Sequence, residues 1–395
     1  MNINTGGPMI RLSPLNALLV AQFISAFVDN MILFLVRGIL IADAYPDYYL
    51  SLVQGTFLFS YILLAPIVGA YADRHSKAKV LLVGNGLKAA GVVAMLLGSN
   101  PALAYGLVGV GAVVYSPAKY GLLPWLTKSE PELLKANAHL ESTTILAILT
   151  GAIAGGIVAD HSPQIGFALC IILYGLSMSA TYWIPWDGGN KAIYYGESLK
   201  DFWTDIKGLF RDPAARFSLI GTGSFWMATG VLRLILFVWV PLKLGIESGA
   251  SIGLIIGITG IGIALGATMT PRLISLDQYR RTLAYGFGMG LGILAFLFVD
   301  NLILTGLFLL LIGFLGGVYI VPMNACLQRV GHSTIGAGKT IAIQNLVENT
   351  FMFIGVAAYM EATRTGVMVN DSIAVVGTLF LLIVAGMTWN SKSKN

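Results

Sequence analysis

Twelve apolar windows dominate this chain, and the first sets the terms for the rest. Pro14 to about Ala42 reads PLNALLVAQFISAFVDNMILFLVRGILIA. These 29 residues exceed the roughly 20 that a bilayer crossing needs, which leaves room for tilt. Asp29 and Asn30 sit at the middle of the run, and Arg37 follows two turns later. A carboxylate at the centre of a membrane helix costs ~2.5–3.5 kcal/mol on insertion scales. Asp29 therefore has to face a protein interior or a wet cavity, with other charges to answer it.

The other windows fall at about 50–71, 79–98, 101–123, 138–159, 164–185, 217–241, 250–270, 282–299, 302–325, 339–360 and 371–389. Only 11% of the 395 residues are charged, against about 25% in a soluble domain. The expectation is an all-α integral membrane protein with twelve transmembrane helices. The first window is too long for the ~7–15-residue apolar core of a cleavable signal, so none is expected. Cys170 and Cys326 fall toward opposite membrane faces, too far apart for a disulfide. An even number of spans puts both termini on one side. With that side cytoplasmic, the inner segments hold 17 Lys and Arg and the outer loops two, Lys243 and Arg364. The positive-inside rule then makes both termini cytoplasmic and explains the net charge of +5 with no nucleic-acid partner.

The longest polar segment, 187–216, carries Leu199, Phe202, Trp203, Ile206, Leu209 and Phe210 at helical spacing. It reads as a cytoplasmic linker with an amphipathic helix, in the simplest case a tether. It separates a first bundle, 1–186, from a second, 217–395, and the two share sequence. GAVVYSPAKYG (111–121) answers GGVYIVPMNAC (316–326), Glu141-Ser142-Thr143 answers Glu348-Asn349-Thr350, and Asn30 to Phe34 answers Arg233 to Phe237. The offsets of 205, 207 and 203 argue for a duplicated six-helix unit. Two pseudo-symmetric six-helix bundles with a site at the midplane between them is the major facilitator plan.

The loop after span two, GAYADRHSKAK, resembles the G-x-x-x-D-R-x-G-R-K signature of that plan, through Gly69, Asp73, Arg74, Lys77 and Lys79. Ser76 and Ala78 depart from it. Gly69 would permit close backbone approach. Asp73 would sit on the positive N-terminus of helix eleven and lock a cytoplasmic gate when the protein opens outward. Seven charges fall within spans: Asp29, Arg37, Lys88, Lys119, Glu141, Arg233 and Glu348. Facing lipid, they would cost roughly 20 kcal/mol together. Asp29, Lys119, Arg233 and Asn324 lie on helices one, four, seven and ten, which line the cavity in this plan. Lys119 and Glu141 share a depth and are expected partners, while structural ion pairing remains open for each charge. A set of mixed sign suits a zwitterionic or anionic head group, with Arg or Lys on a phosphate and Asp or Glu on an ammonium.

The runs AQFISAFVDNMILF, SYILLAPIVGAYAD, GNGLKAAG, YSPAKYGLL, GFLGGVYIVPMNA and GAGKTIAIQNLVEN resemble the bacterial lysophospholipid transporters of the major facilitator superfamily. The resemblance covers about 15–390 and adds Asn345 of QNLVEN to the candidates. It implies a flippase of the bacterial inner membrane that moves lysophosphatidylethanolamine and lysophosphatidylglycerol from the outer to the inner leaflet. A separate acyl-carrier-protein-dependent acyltransferase would then reacylate them. It also ties an acidic residue of helix one and an arginine of helix seven, here Asp29 and Arg233, to head-group handling. The candidate substrate-binding set is Asp29, Asn30, Lys119, Glu141, Arg233, Asn324, Asn345 and Glu348. The gating set is Gly69, Asp73, Arg74 and Lys77. The acyl chain should reach the cavity sideways, between helices five and eight or two and eleven. GAIAGGIVA (151–159) and GLIIGITGIGIALGA (253–267) supply small facing surfaces, with Gly155, Gly156 and Gly262 expected in that seam.

Proton-coupled efflux of amphipathic drugs stays open as a second function, since one protonatable carboxylate would serve it. An enzyme is not expected. His75, His139, His161 and His332 form no catalytic triad or metal set with other residues, and no cofactor is expected.

Overall fold

The computed structural model describes residues 12–186 and 188–392. Among them are thirteen α-helices and no strand: α1 Pro14–Ala42, α2 Tyr49–Arg74, α3 Lys77–Leu96, α4 Pro101–Leu126, α5 Glu130–His161, α6 Pro163–Thr181, α7 Tyr195–Arg211, α8 Pro213–Leu244, α9 Gly249–Leu273, α10 Thr282–Ala295, α11 Leu302–Thr334, α12 Ala337–Arg364 and α13 Val369–Lys392. Short 3-10 turns flank α10. Twelve segments are long and apolar enough to cross a membrane, and α7 is the remaining helix. Spans one to six are α1–α6, and spans seven to twelve are α8–α13.

Four helices start with a capping residue followed by proline, which brings no N–H to an end where N–H groups lack partners. They are Ser13-Pro14, Asn100-Pro101, Ser162-Pro163 and Asp212-Pro213. Asp212 accepts from the amides of Ala214 and Ala215, both at 2.8 Å. That cap starts α8 a turn before the apolar window at 217. At its other end Gly245 adopts φ +65°, the left-handed turn that glycine tolerates, and closes the helix.

α1 packs on α5 and α6, α3 on α4 and α6, and α2 on α4. In the second half α9 packs on α11, α8 on α11, α12 and α13, and α10 on α11 and α13. The halves meet through α2 with α12 and α5 with α9. Residues equivalent under the 203 offset also meet each other. The rings of Phe34 and Phe237 lie 4.9 Å apart, edge to face, and Arg233 Nη1 reaches Asn30 Oδ1 at 3.5 Å. Equivalent residues can touch only near the axis relating two repeats, so that axis runs between α1 and α8. α7 buries Phe202 and Leu209 in a cluster with Ala65 of α2, Leu219 of α8, Leu327 of α11 and Ile343 and Val347 of α12. The expected amphipathic helix thus bridges the halves on the side where α1 begins and α13 ends, the terminal side. Cys170 and Cys326 are free and buried.

Candidate functional site

Asp29 is answered from within its own half. Lys88 of α3 donates to its Oδ2 at 2.6 Å, and the Tyr174 hydroxyl of α6 donates to its Oδ1 at 2.6 Å. Lys88 is 2% exposed and Asp29 21%, so the Asp29 side chain stays partly accessible. Lys88 also donates to Ser25 Oγ at 2.9 Å, and its ammonium lies 4.8 Å from the Tyr115 ring. The chain continues from Ser25 Oγ to Asn85 Oδ1, from Asn85 Nδ2 to Ser177 Oγ, and from Ser177 Oγ to the Ala21 carbonyl. Ser25, Asn85, Lys88 and Ser177 are thereby hydrogen-bonded to one another, as a dry interior requires. Losing one partner of such a buried pair costs ~3–5 kcal/mol. The sequence shows Lys88 as a buried cation but does not link it to Asp29. Tyr174 carries no signal, because a tyrosine in an apolar span is unremarkable.

Arg233 comes from the other half. Besides the long contact to Asn30, its guanidinium lies 5.9 Å from the Phe34 ring, and its Nε and Nη2 are buried with no hydrogen-bond partner. It lines a cavity of about 180 Å³ at the junction of the halves, with Leu33 of α1, Gln54 of α2, Leu149 and Ala152 of α5, Trp226 of α8, Ile256, Thr259 and Gly260 of α9, and Met352 and Val356 of α12. Among the described side chains, Arg233 is the one member of the candidate set on this wall.

Glu348 belongs to a second polar cluster. Gln344 Nε2 donates to Glu348 Oε1 at 2.7 Å and to Asn324 Oδ1 at 2.8 Å, joining α12 to α11. Gln344 was absent from the candidate set, although its i, i+4 spacing to Glu348 marks a shared helix face. Asn345 is half-buried, and its carbonyl accepts from Asn349 Nδ2 at 2.7 Å. Lys119 is buried, with its ammonium 4.4 Å from the Tyr120 ring. The Glu141 side chain lies outside the described residues. Among the described residues no group of acidic, His or Cys side chains could hold a metal ion.

The seam between α5 and α9 differs from expectation. A Cβ on Gly156 would strike the Gly249 carbonyl oxygen, and one on Gly253 would lie 2.8 Å from the Ala152 carbonyl oxygen. Gly155 instead faces α1, 2.7 Å from the Met31 carbonyl oxygen. Gly262 faces α11, as do Gly266, Gly313 and Gly317 in the same interface. One residue of offset turns a helix by about 100°, so Gly155 and Gly156 serve different neighbours. Leu149 of α5 faces Gly260 of α9, and toward the terminal side Leu146, Ile261 and Leu265 are exposed. At the opposite end Asp160 of α5 grips the first turn of α9. Its Oδ2 accepts from Ser248 Oγ at 2.8 Å and the Ala250 amide at 3.1 Å, and its Oδ1 from the Gly249 amide at 2.7 Å. Nearby, Arg37 Nη2 donates to the Phe237 carbonyl of α8 at 3.4 Å.

Among the described residues, Asp73 is not docked on α12. Asp73 is 64% exposed and pairs with Lys77 at 3.7 Å, and nothing lies within 4 Å of a Cβ on Gly69. The loop docks on the linker instead. Arg74 donates to the Ile193 carbonyl and lies 5.3 Å from the Tyr195 ring, and the Asn190 amide donates to the Asp73 carbonyl at 2.9 Å. Close approach at Gly69 and docking of Asp73 are therefore not made in this conformation.

Comparison with known proteins places the architecture. The Major Facilitator Superfamily profile matches residues 18–356. The "Lysophospholipid transporter LplT" of Cronobacter sakazakii is 40% identical over 380 residues, 95% of this chain and 96% of that protein. The protein of the same name from Pectobacterium carotovorum is 41% identical over 358 residues, 90% of this chain and 88% of that one. The crystal structure of a POT family transporter in complex with 5-aminolevulinic acid superposes with a TM-score of 0.75 at 14% identity, covering 96% of both chains, a likeness of fold alone. The chain is a multi-pass membrane protein that belongs to the major facilitator superfamily and, within it, to the LplT family.

Proposed function

We propose that the chain flips lysophospholipids by alternating access. It takes lysophosphatidylethanolamine and lysophosphatidylglycerol from the outer to the inner leaflet of the bacterial inner membrane, where an acyl-carrier-protein-dependent acyltransferase restores the missing chain. Residues 1–186 and 217–395 rock against each other across the α1–α8 axis, 187–216 links them, and both termini are cytoplasmic. The activity for which the relatives are named supports this. The observation that carries it is Arg233: a buried guanidinium with two unpartnered nitrogens on the wall of a largely apolar cavity between the halves. A lone buried donor set of that kind is costly, and a phosphate is its natural partner. Asp29, Asn30, Asn324, Asn345 and Glu348 complete the polar surface for the head group, and Lys119 with Glu141 lies on the path toward the terminal side.

The acyl chain decides the route. A sixteen-carbon chain in water would lose on the order of 12 kcal/mol at ~0.8 kcal/mol per CH₂. A cavity of about 180 Å³ holds a short section of it. The remainder stays in lipid and passes between α5 and α9, where Leu149 and Gly260 line the cavity. The seam is latched at the Asp160 end in this conformation. Gly69, Asp73, Arg74 and Lys77 close the cytoplasmic gate in the opposite state. The reading is that of a carrier, in keeping with relatives that are transporters of the same superfamily.

Reconstitution into liposomes tests this reading. Labelled lysolipid should cross in the presence of the protein, and Arg233→Leu should lower the rate at least about tenfold, the effect of losing ~1.4 kcal/mol or more of binding. Repeating the assay with and without a pH gradient reports coupling. Absence of lysolipid transport, with proton-driven efflux of an amphipathic dye, would replace this function by drug export.

A further inference from the structure

We propose that Lys88 sets the head-group charge preference of the site, as the permanent counter-ion of Asp29, without touching the substrate. This rests on the reading of Asp29 as part of a head-group site. Lys88 is 2% exposed, so no ligand reaches it directly. Its donors go to Asp29 Oδ2 and Ser25 Oγ, and its charge sits near the rings of Tyr115 and Tyr174 at 4.8 and 5.8 Å. Every one of these groups lies on α1, α3, α4 or α6, all in the first half. Arg233 and Glu348 come from the second. When the halves rock, Asp29 and Lys88 travel together and the pair is never broken.

The consequence is electrostatic. The partly accessible carboxylate can accept a hydrogen bond, yet its pair with Lys88 carries no net charge. An ammonium docking on Asp29 meets a carboxylate at contact and a buried cation just behind it. A neutral glycerol head group can use the same carboxylate through its hydroxyls without that opposition. Two classes of head group are thus accommodated by one carboxylate. The Tyr174 hydroxyl at 2.6 Å holds the carboxylate in place through Oδ1. A lone Asp29 would favour the ammonium, and a lone Lys88 the anionic lipid.

The test measures initial uptake of lysophosphatidylethanolamine and lysophosphatidylglycerol by the same proteoliposomes and takes their ratio. Lys88→Met should shift the ratio toward the ethanolamine lipid, on the order of tenfold for one unit charge removed a few ångströms away. Asp29→Asn, although slow, should shift it toward the glycerol lipid. The double variant Asp29→Asn/Lys88→Met restores a neutral pair and should return the ratio toward that of the unmodified protein, as should Lys88→Arg. A purely structural pair would lower both rates by one factor, and a ratio that stays constant across these variants overturns the proposal. Should Lys88→Met fail to fold, Asp29→Asn and the double variant still have to differ in ratio, and equality between them also overturns it. Failure of the unmodified protein to move either lipid would instead defeat the lysolipid reading.

Discussion

Asp160 offers the most direct handle on the transport cycle. It spans the two halves, taking one hydroxyl and two backbone amides at the start of α9. Asp160→Ala removes all three bonds and a favourable charge at a helix N-terminus. A lost cap costs ~0.5–2 kcal/mol and the helix-end charge ~0.3–1 kcal/mol. Asp160 is exposed, so water replaces part of the bonding and the net loss is about 1–2 kcal/mol. The contact exists only while α5 and α9 are joined at this end, so the whole amount acts on the conformational equilibrium. It should raise the population opened toward the periplasm by roughly 5–30-fold. The readout is a cysteine placed at Ala152, buried against Gly253 in this state, and labelled by a membrane-impermeant thiol reagent from the periplasmic side. Both native cysteines are buried, which keeps the background low. A labelling rate unchanged within about twofold would refute the latch.

Asp29→Asn should remove most transport at unchanged expression, measured as lysolipid uptake against protein in the membrane, because it strands Lys88 and takes away the partly accessible carboxylate. Gly156→Leu should fold but fail to transport, since its side chain enters the seam at Gly249. Gly262→Leu should instead lower the yield of folded protein, since it pries α9 from α11. Equal behaviour of the two in thermal stability and uptake would contradict the separate faces. Neutralising Lys119 and Glu141 together should cost less than the sum of the single neutralisations, and strict additivity in uptake would mean that the two do not interact.

Much of the architecture is written in the chain. Helix length is set by bilayer thickness, so apolar runs give the number of spans. Cap-proline pairs such as Asp212-Pro213 mark where helices begin, and the near-constant offsets reveal the duplication. Even the meeting of Asn30 with Arg233 follows once the repeat is seen, because equivalent positions near a two-fold axis face one another. The partners of the buried charges are of another kind. Asp29 demands a cation by its desolvation cost alone, and of the four cations within spans helical rise puts Lys88 near the same midplane depth, but depth does not say which helix faces pack together. The choice of Lys88, 59 residues away, is made by the packing of α3 and α6 on α1. The grip of Asp160 on α9, across 89 residues, is likewise a product of assembly. The glycine faces are hidden for a related reason. In lipid both the solvent and the neighbouring helix are apolar, so hydrophobic periodicity cannot say which face meets which. Gly155, Gly156 and Gly262 look alike in sequence, and only the three-dimensional arrangement of α1, α9 and α11 gives each its neighbour.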